Sequence, residues 1–122
     1  MDWQDQPNAP LPGTRLCRLD EIADGGAQMI DLGLGSEAFR VIILRSGEQV
    51  HGYLNRCAHF GVPLAQRPAQ LIFTPHESIT CNVHYARYGW HDGHCITGEC
   101  AGEHLIPLPL TIRDGDIFVA SS

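Results

Sequence analysis

Long hydrophobic runs are missing from this chain. No stretch approaches the roughly 18 consecutive apolar residues of a membrane-spanning helix, so no membrane position is expected. Cations are scarce, with eight Lys plus Arg against 14 Asp plus Glu and a formal charge of −6. Nucleic acid or an anionic membrane would call for a basic face to displace counterions, so neither is an expected partner, and a basic partner surface suits the charge better. The first ten residues carry Asp2 and Asp5 where an export signal has cations, and they lack its apolar core. A soluble, cytoplasmic protein is the expectation. Internal repeats and low-complexity tracts are also lacking. In a reducing compartment, five Cys and seven His point toward metal before they point toward a disulfide framework.

What is present is one domain's worth of chain, 122 residues, expected to form a single domain over 1–122 with its own core. Thirteen Gly and eight Pro, with few periodic apolar stretches, favour short strands and turns over helices. Residues 1–13 are punctuated by Pro7, Pro10 and Pro12 and read as a flexible arm. Strands are predicted over 14–18, 27–32, 38–45 and 49–54. The densest β-branched run, Val41-Ile42-Ile43-Leu44, lies in the third of these, and the turn at Ser46-Gly47-Glu48 makes the last two a hairpin. Residues 65–76 read as a connecting excursion that includes the apolar patch Leu71-Ile72-Phe73. Further strands are predicted over 77–80, 85–90 and 95–97, with a turn at His91-Asp92-Gly93-His94, and then over 105–112 and 116–119. Pro107 and Pro109 confine the penultimate strand to an edge or to pairing on one side.

The chemistry concentrates in two short segments, Cys57-Ala58-His59 and Cys81-Asn82-Val83-His84. Each offers one thiolate and one imidazole at short range, and together they supply four soft or borderline metal ligands. Residues 60–80 separate the two, so the fold must bring the hooks together. Zinc accepts this ligand set, although its common spacing pairs like with like, Cys with Cys and His with His. A [2Fe–2S] cluster with two Cys on one iron and two His on the other also accepts it. Cys17 reads as a small buried hydrophobe, and Cys95 and Cys100 as structural thiols in preference to a disulfide or a second metal site. His51, His76, His91, His94 and His104 show no partner pattern and read as surface or satisfied core side chains.

The segment Cys57-Ala58-His59-Phe60-Gly61-Val62-Pro63-Leu64 resembles the first cluster-binding box, Cys-x-His-x-Gly-x-x-Leu, of the Rieske ferredoxins and related small Rieske [2Fe–2S] proteins, and Cys81-x-x-His84 matches the second box. The tail Gly93-x-Cys95-x-x-Gly98-x-Cys100-x-Gly102, followed by Leu105, Pro107-Leu108 and Asp114-Gly115-Asp116-Ile117, is similar to that of standalone members. The likeness covers about residues 14–120 and is most specific over 55–110. The chain departs from the family in having Tyr85 where Gly usually follows the second His, Val83 where an aromatic is common, and a somewhat longer spacer. It also lacks the extra Cys in each box that ties the loops of high-potential members, which implies the ferredoxin-like subclass of lower potential.

By this resemblance the fold is all-β, a Rieske-like arrangement of small antiparallel sheets with a cluster-binding subdomain at about 55–95 inserted in a larger base. The resemblance implies one [2Fe–2S] cluster per chain, Cys57 and Cys81 inward on one iron and His59 and His84 outward on the other. Replacing two thiolates by neutral imidazoles makes the oxidised cluster less negative and raises its potential above the roughly −400 mV of all-Cys plant-type clusters. The implied role is an electron carrier, without catalysis of its own, passing single electrons from a reductase to an oxygenase or other redox enzyme through weak, transient contacts. A non-catalytic subunit or redox-sensing module of the nitrite reductase small-subunit type, and a zinc-stabilised structural β module, are the alternatives.

Overall fold

The computed structural model describes residues 3–33, 35, 38–58, 62–81, 85–98 and 102–121. Among these the chain forms β1 (Arg15–Arg18), β2 (Ala27–Leu32), β3 (Phe39–Ser46), β4 (Gln49–Leu54), β5 (Ile72–Thr74), β6 (Ser78–Thr80), β7 (Arg87–Gly89), β8 (Cys95–Thr97), β9 (Pro107–Leu108), β10 (Leu110–Arg113) and β11 (Asp116–Val119). They assemble into three sheets with strand orders β1-β11-β10, β2-β3-β4-β9 and β5-β6-β7-β8. Every pairing is antiparallel. The all-β expectation of small antiparallel sheets holds.

The run Val41-Ile42-Ile43-Leu44 explains how the three sheets share one centre. Successive side chains of a strand point to opposite faces, and a strand buried on both faces reads as a continuous apolar run. Val41 and Ile43 enter one core with Cys17, Ile22, Phe39, Leu108, Ile117 and Val119. Ile42 and Leu44 enter a second core with Tyr53, Leu64, Ile79, Tyr88, Trp90 and Leu105. All four residues of the run are 0% exposed. The middle sheet therefore lies between the β1-β11-β10 sheet and the sheet that carries the second hook.

The predicted hairpin over β3 and β4 forms, with register from Ser46↔Gln49 to Val41↔Leu54. Gly52 is required where β9 crosses, because a Cβ there would lie 2.8 Å from the carbonyl oxygen of Leu108. Pro107 and Pro109 act as predicted. β9 is the edge of the middle sheet, and after Pro109 the chain changes sheets and continues as β10, again at an edge.

Three local expectations are revised. The patch around Ile72 is a strand, β5, pairing Ile72↔Thr80 and Thr74↔Ser78, so residues 65–76 are more than a connection. The strand predicted from residue 85 begins at Arg87, because Tyr85 has a φ of 60° and cannot extend a sheet. Within the stretch read as a loose arm, Trp3 is 5% exposed and meets Phe39 edge-on, ring centroids 6.5 Å apart. Burying an indole contributes about 2–3 kcal/mol, enough to hold a short segment in place.

Two side chains tie the middle sheet to the sheet β5-β6-β7-β8. The Tyr53 hydroxyl donates to the carbonyl oxygen of Trp90 at 3.0 Å, and Trp90 Nε1–H donates to Ser46 Oγ at 2.8 Å.

Candidate metal centre

Both cysteine hooks begin in the same way. The Cys57 N–H donates to the carbonyl oxygen of Val62 at 2.6 Å, and the Cys81 N–H donates to that of Ala86 at 2.8 Å. In each case the cysteine binds the carbonyl five residues ahead, so each hook is a closed loop with its cysteine at the neck. The second neck is narrowed further by Tyr85 N–H, which donates to the Cys81 carbonyl at 2.9 Å. Tyr85 adopts left-handed backbone at φ 60°, the conformation that glycine occupies without steric cost. This chain has a tyrosine where the resembling family has glycine, and it keeps a glycine-type turn there, the residue 66% exposed.

The first loop is braced from inside by Asn55, a residue to which the sequence reading assigned no role. Its side chain is buried. Oδ1 accepts from the N–H groups of Leu64 at 2.7 Å and Ala65 at 3.3 Å, and Nδ2 donates to the Ala65 carbonyl at 2.7 Å. An asparagine two residues before a candidate ligand cysteine is the available signal, since Asn side chains commonly substitute for backbone partners around turns.

The two thiols meet in one core. Cys57 is 2% and Cys81 0% exposed, both belong to the cluster that contains Tyr88 and Leu64, and both are free of disulfides. Cys57 Sγ lies 3.2 Å from the Tyr88 hydroxyl, whose oxygen also accepts from the Ala58 N–H at 3.2 Å. Either group can donate across that contact; with Cys57 as a thiolate the Tyr88 O–H is the donor, while Ala58 N–H bonds the same oxygen. Burial first, and then the hydrogen bond to Cys57, push the Tyr88 phenol well above its ordinary value, so it keeps its proton. Two buried thiols at loop necks, one facing a donor suited to a thiolate, fit the sulfur half of a [2Fe–2S] cluster.

His59 and His84, predicted as the imidazole half, lie outside the described residues. Among the described residues no group of three or more His, Cys, Asp or Glu side chains converges to hold a metal.

The remaining cysteines divide differently from expectation. Cys17 is a buried free thiol, and burial first, then the charge of Glu21, pushes it up to about 11. Cys95, expected as a structural thiol, is disulfide-bonded. Cys100 lies outside the described residues. The histidine expectation is revised as well, since His51 Nε2 and His91 Nδ1 are 3.1 Å apart although the residues stand far apart in the chain.

Comparison with known proteins agrees with this geometry. A family profile described as the Rieske [2Fe–2S] domain matches residues 14–112. The fold is similar to that of the ferredoxin of carbazole 1,9a-dioxygenase from Nocardioides aromaticivorans IC177, with a TM-score of 0.70 and 19% identity over 92% of this chain and 100% of that one. It is similar to part of the terminal oxygenase of carbazole 1,9a-dioxygenase from Novosphingobium sp. KA1, with a TM-score of 0.71 and 22% identity over 93% of this chain and 31% of that one. A third solved structure, a complex of reduced oxygenase and oxidized ferredoxin in carbazole 1,9a-dioxygenase, aligns with a TM-score of 0.69 and 17% identity over 88% of this chain and 92% of that one. No curated protein matches. No helix among the described residues is long and apolar enough to cross a membrane. With a profile match spanning most of its length, the chain belongs to the Rieske [2Fe–2S] domain family, whose cofactor is a [2Fe–2S] cluster.

Proposed function

We propose that the chain is a ferredoxin-type one-electron carrier, with Cys57 and Cys81 on the inner iron of the cluster and His59 and His84 on the outer one. It takes electrons from a reductase, delivers them to an oxygenase or another redox enzyme through brief contacts at the histidine end, and catalyses no reaction itself. In this reading residues 1–122 form one domain, the cluster-binding part occupies about 55–95, and the protein works in the cytoplasm. The observation that carries the reading is the pair of matched loops, each closed by its own cysteine, with both thiols in one core. Solved relatives of the same fold include a ferredoxin and a ferredoxin–oxygenase complex, which supports a partner of that kind.

When bound, the cluster supplies a reversible one-electron site. The chain holds the sulfur side away from water, since Cys57 and Cys81 are buried. Tyr88 places a proton donor on the Cys57 sulfur, and that interaction strengthens as negative charge on the sulfur grows. Asn55 keeps the first loop closed, so little rearrangement accompanies a change of charge.

The test is iron and acid-labile sulfide analysis of anaerobically purified protein, with EPR of the reduced form. Two irons and two sulfides per chain, and the low average g value of mixed His/Cys ligation, are expected. Replacing Cys81→Ser should abolish assembly. One zinc without sulfide would replace the carrier with a zinc-stabilised module, and permanent comigration with a large subunit would replace a diffusing carrier with a fixed one.

A further inference from the structure

We propose that His51 and His91 form a two-imidazole site for a divalent transition-metal ion such as Zn²⁺ or Cu²⁺, separate from the cluster ligands. His51 stands in β4 opposite Leu44, and His91 follows Trp90 in the turn between β7 and β8. Their nearest ring nitrogens are 3.1 Å apart, and the rings are perpendicular, with an interplanar angle of 89° and centroids 4.9 Å apart. Imidazole nitrogens bind zinc at about 2.0–2.1 Å, so a gap of this size places the ion slightly off the line between them with an N–metal–N angle of about 100°, close to tetrahedral. The 3.1 Å contact is a hydrogen bond, so one facing nitrogen carries a proton; on metal binding that ring changes tautomer, its proton moving to the far nitrogen, and both rings tilt so that their lone pairs converge on the ion.

Backbone and side-chain bonds hold the two segments that carry the imidazoles beside each other in advance. Tyr53, two residues from His51 and on the same face of β4, donates its hydroxyl to the Trp90 carbonyl at 3.0 Å. The turn is also pinned by Trp90 N–H to the Glu77 carbonyl, Gly93 N–H to the Gly89 carbonyl and Leu105 N–H to the Gly93 carbonyl, each at 2.9 Å. A bite fixed before binding loses less freedom when the ion arrives. Burial first, and the neighbouring His91 second, lower the His51 pKa, which favours the neutral ring that metals require. Water completes the coordination on the exposed side.

One imidazole belongs to the middle sheet and the other to the sheet that carries the second hook. A bound ion therefore clamps the two sheets together and stabilises the fold by mass action.

The test is calorimetric titration of Zn²⁺ into the oxidised holoprotein, compared with the His51→Gln and His91→Gln variants. One ion per chain is expected, each variant weakening binding at least tenfold, and the melting temperature of the parent but of neither variant rising with Zn²⁺. Cu²⁺ gives an independent readout, because the coupled ferric irons of an oxidised cluster have no EPR signal and the copper spectrum should show splitting from two nitrogens. Absence of stoichiometric Zn²⁺ binding, retention of parental affinity in either variant, or splitting from a single nitrogen would each overturn the proposal.

Discussion

The hydroxyl of Tyr88 lies 3.2 Å from the sulfur of Cys57, and the Ala58 N–H occupies the other side of the same oxygen. With Cys57 as the ligand proposed above, its thiolate carries no proton, so the phenol is the donor, and the bond strengthens when an added electron makes the sulfur more negative. Tyr88→Phe should lower the midpoint potential while leaving cluster content unchanged. If the bond is worth ~1.4 kcal/mol more in the reduced state, the drop is about 59 mV. Redox titration followed by EPR reads it, and an unchanged midpoint would remove Tyr88 from the control of the cluster.

Asn55 makes three hydrogen bonds to the first loop from a buried position. Asn55→Ala leaves the Leu64 N–H, the Ala65 N–H and the Ala65 C=O without those partners, at about 1–3 kcal/mol for each group left unsatisfied. A fall in melting temperature of roughly 10 °C is expected, with faster loss of visible absorbance on standing. Parental stability in this variant would mean that the loop is held by other contacts.

Tyr85 holds a left-handed backbone with its ring mostly in solvent. A non-glycine residue pays roughly 1–2 kcal/mol for that conformation, and the exposed ring returns little of it through burial. Tyr85→Gly should raise the melting temperature by a few degrees, less than the full strain because glycine is freer in the unfolded chain. A lower melting temperature would show that the ring contributes packing that its exposure does not suggest.

The raised pKa of Cys17 gives stability a definite dependence on alkaline pH. The folded thiol keeps its proton up to about 11, whereas the unfolded thiol releases it near its ordinary value of 9.0. Between these values the unfolded state holds fewer protons, so stability is fully present below pH 9 and falls as pH rises toward 11. Tyr53 and Tyr88, both shifted upward mainly by burial, add to the fall at higher pH. Denaturant melts from pH 8 to 11 should show a shallower decline in Cys17→Ala than in the parent, and identical slopes would contradict the assignment.

What was legible in the sequence is what short-range chemistry encodes. The two-faced strand announces itself as Val41-Ile42-Ile43-Leu44, the hairpin after it by Ser46-Gly47-Glu48, and the two cysteine loops by their spacing. What was not legible depends on distance or on context. The three-residue strand at Ile72 is defined only by its partner Thr80. The approach of His51 to His91 depends on how two sheets pack. The disulfide of Cys95 went against the expectation for a reducing compartment, which rested on composition and not on where the fold places the sulfur. The late start of β7 follows from one backbone angle at Tyr85, which its side chain type argues against.

Adjacent residues of β3 serve opposite cores, Val41 and Ile43 on one side, Ile42 and Leu44 on the other. The redox end thus has no partition wall of its own: the same strand is its floor and the ceiling of the sheet behind it. Heating should dismantle both halves in a single cooperative step, and damage that begins at the two cysteine loops will be felt at the far edge of the molecule.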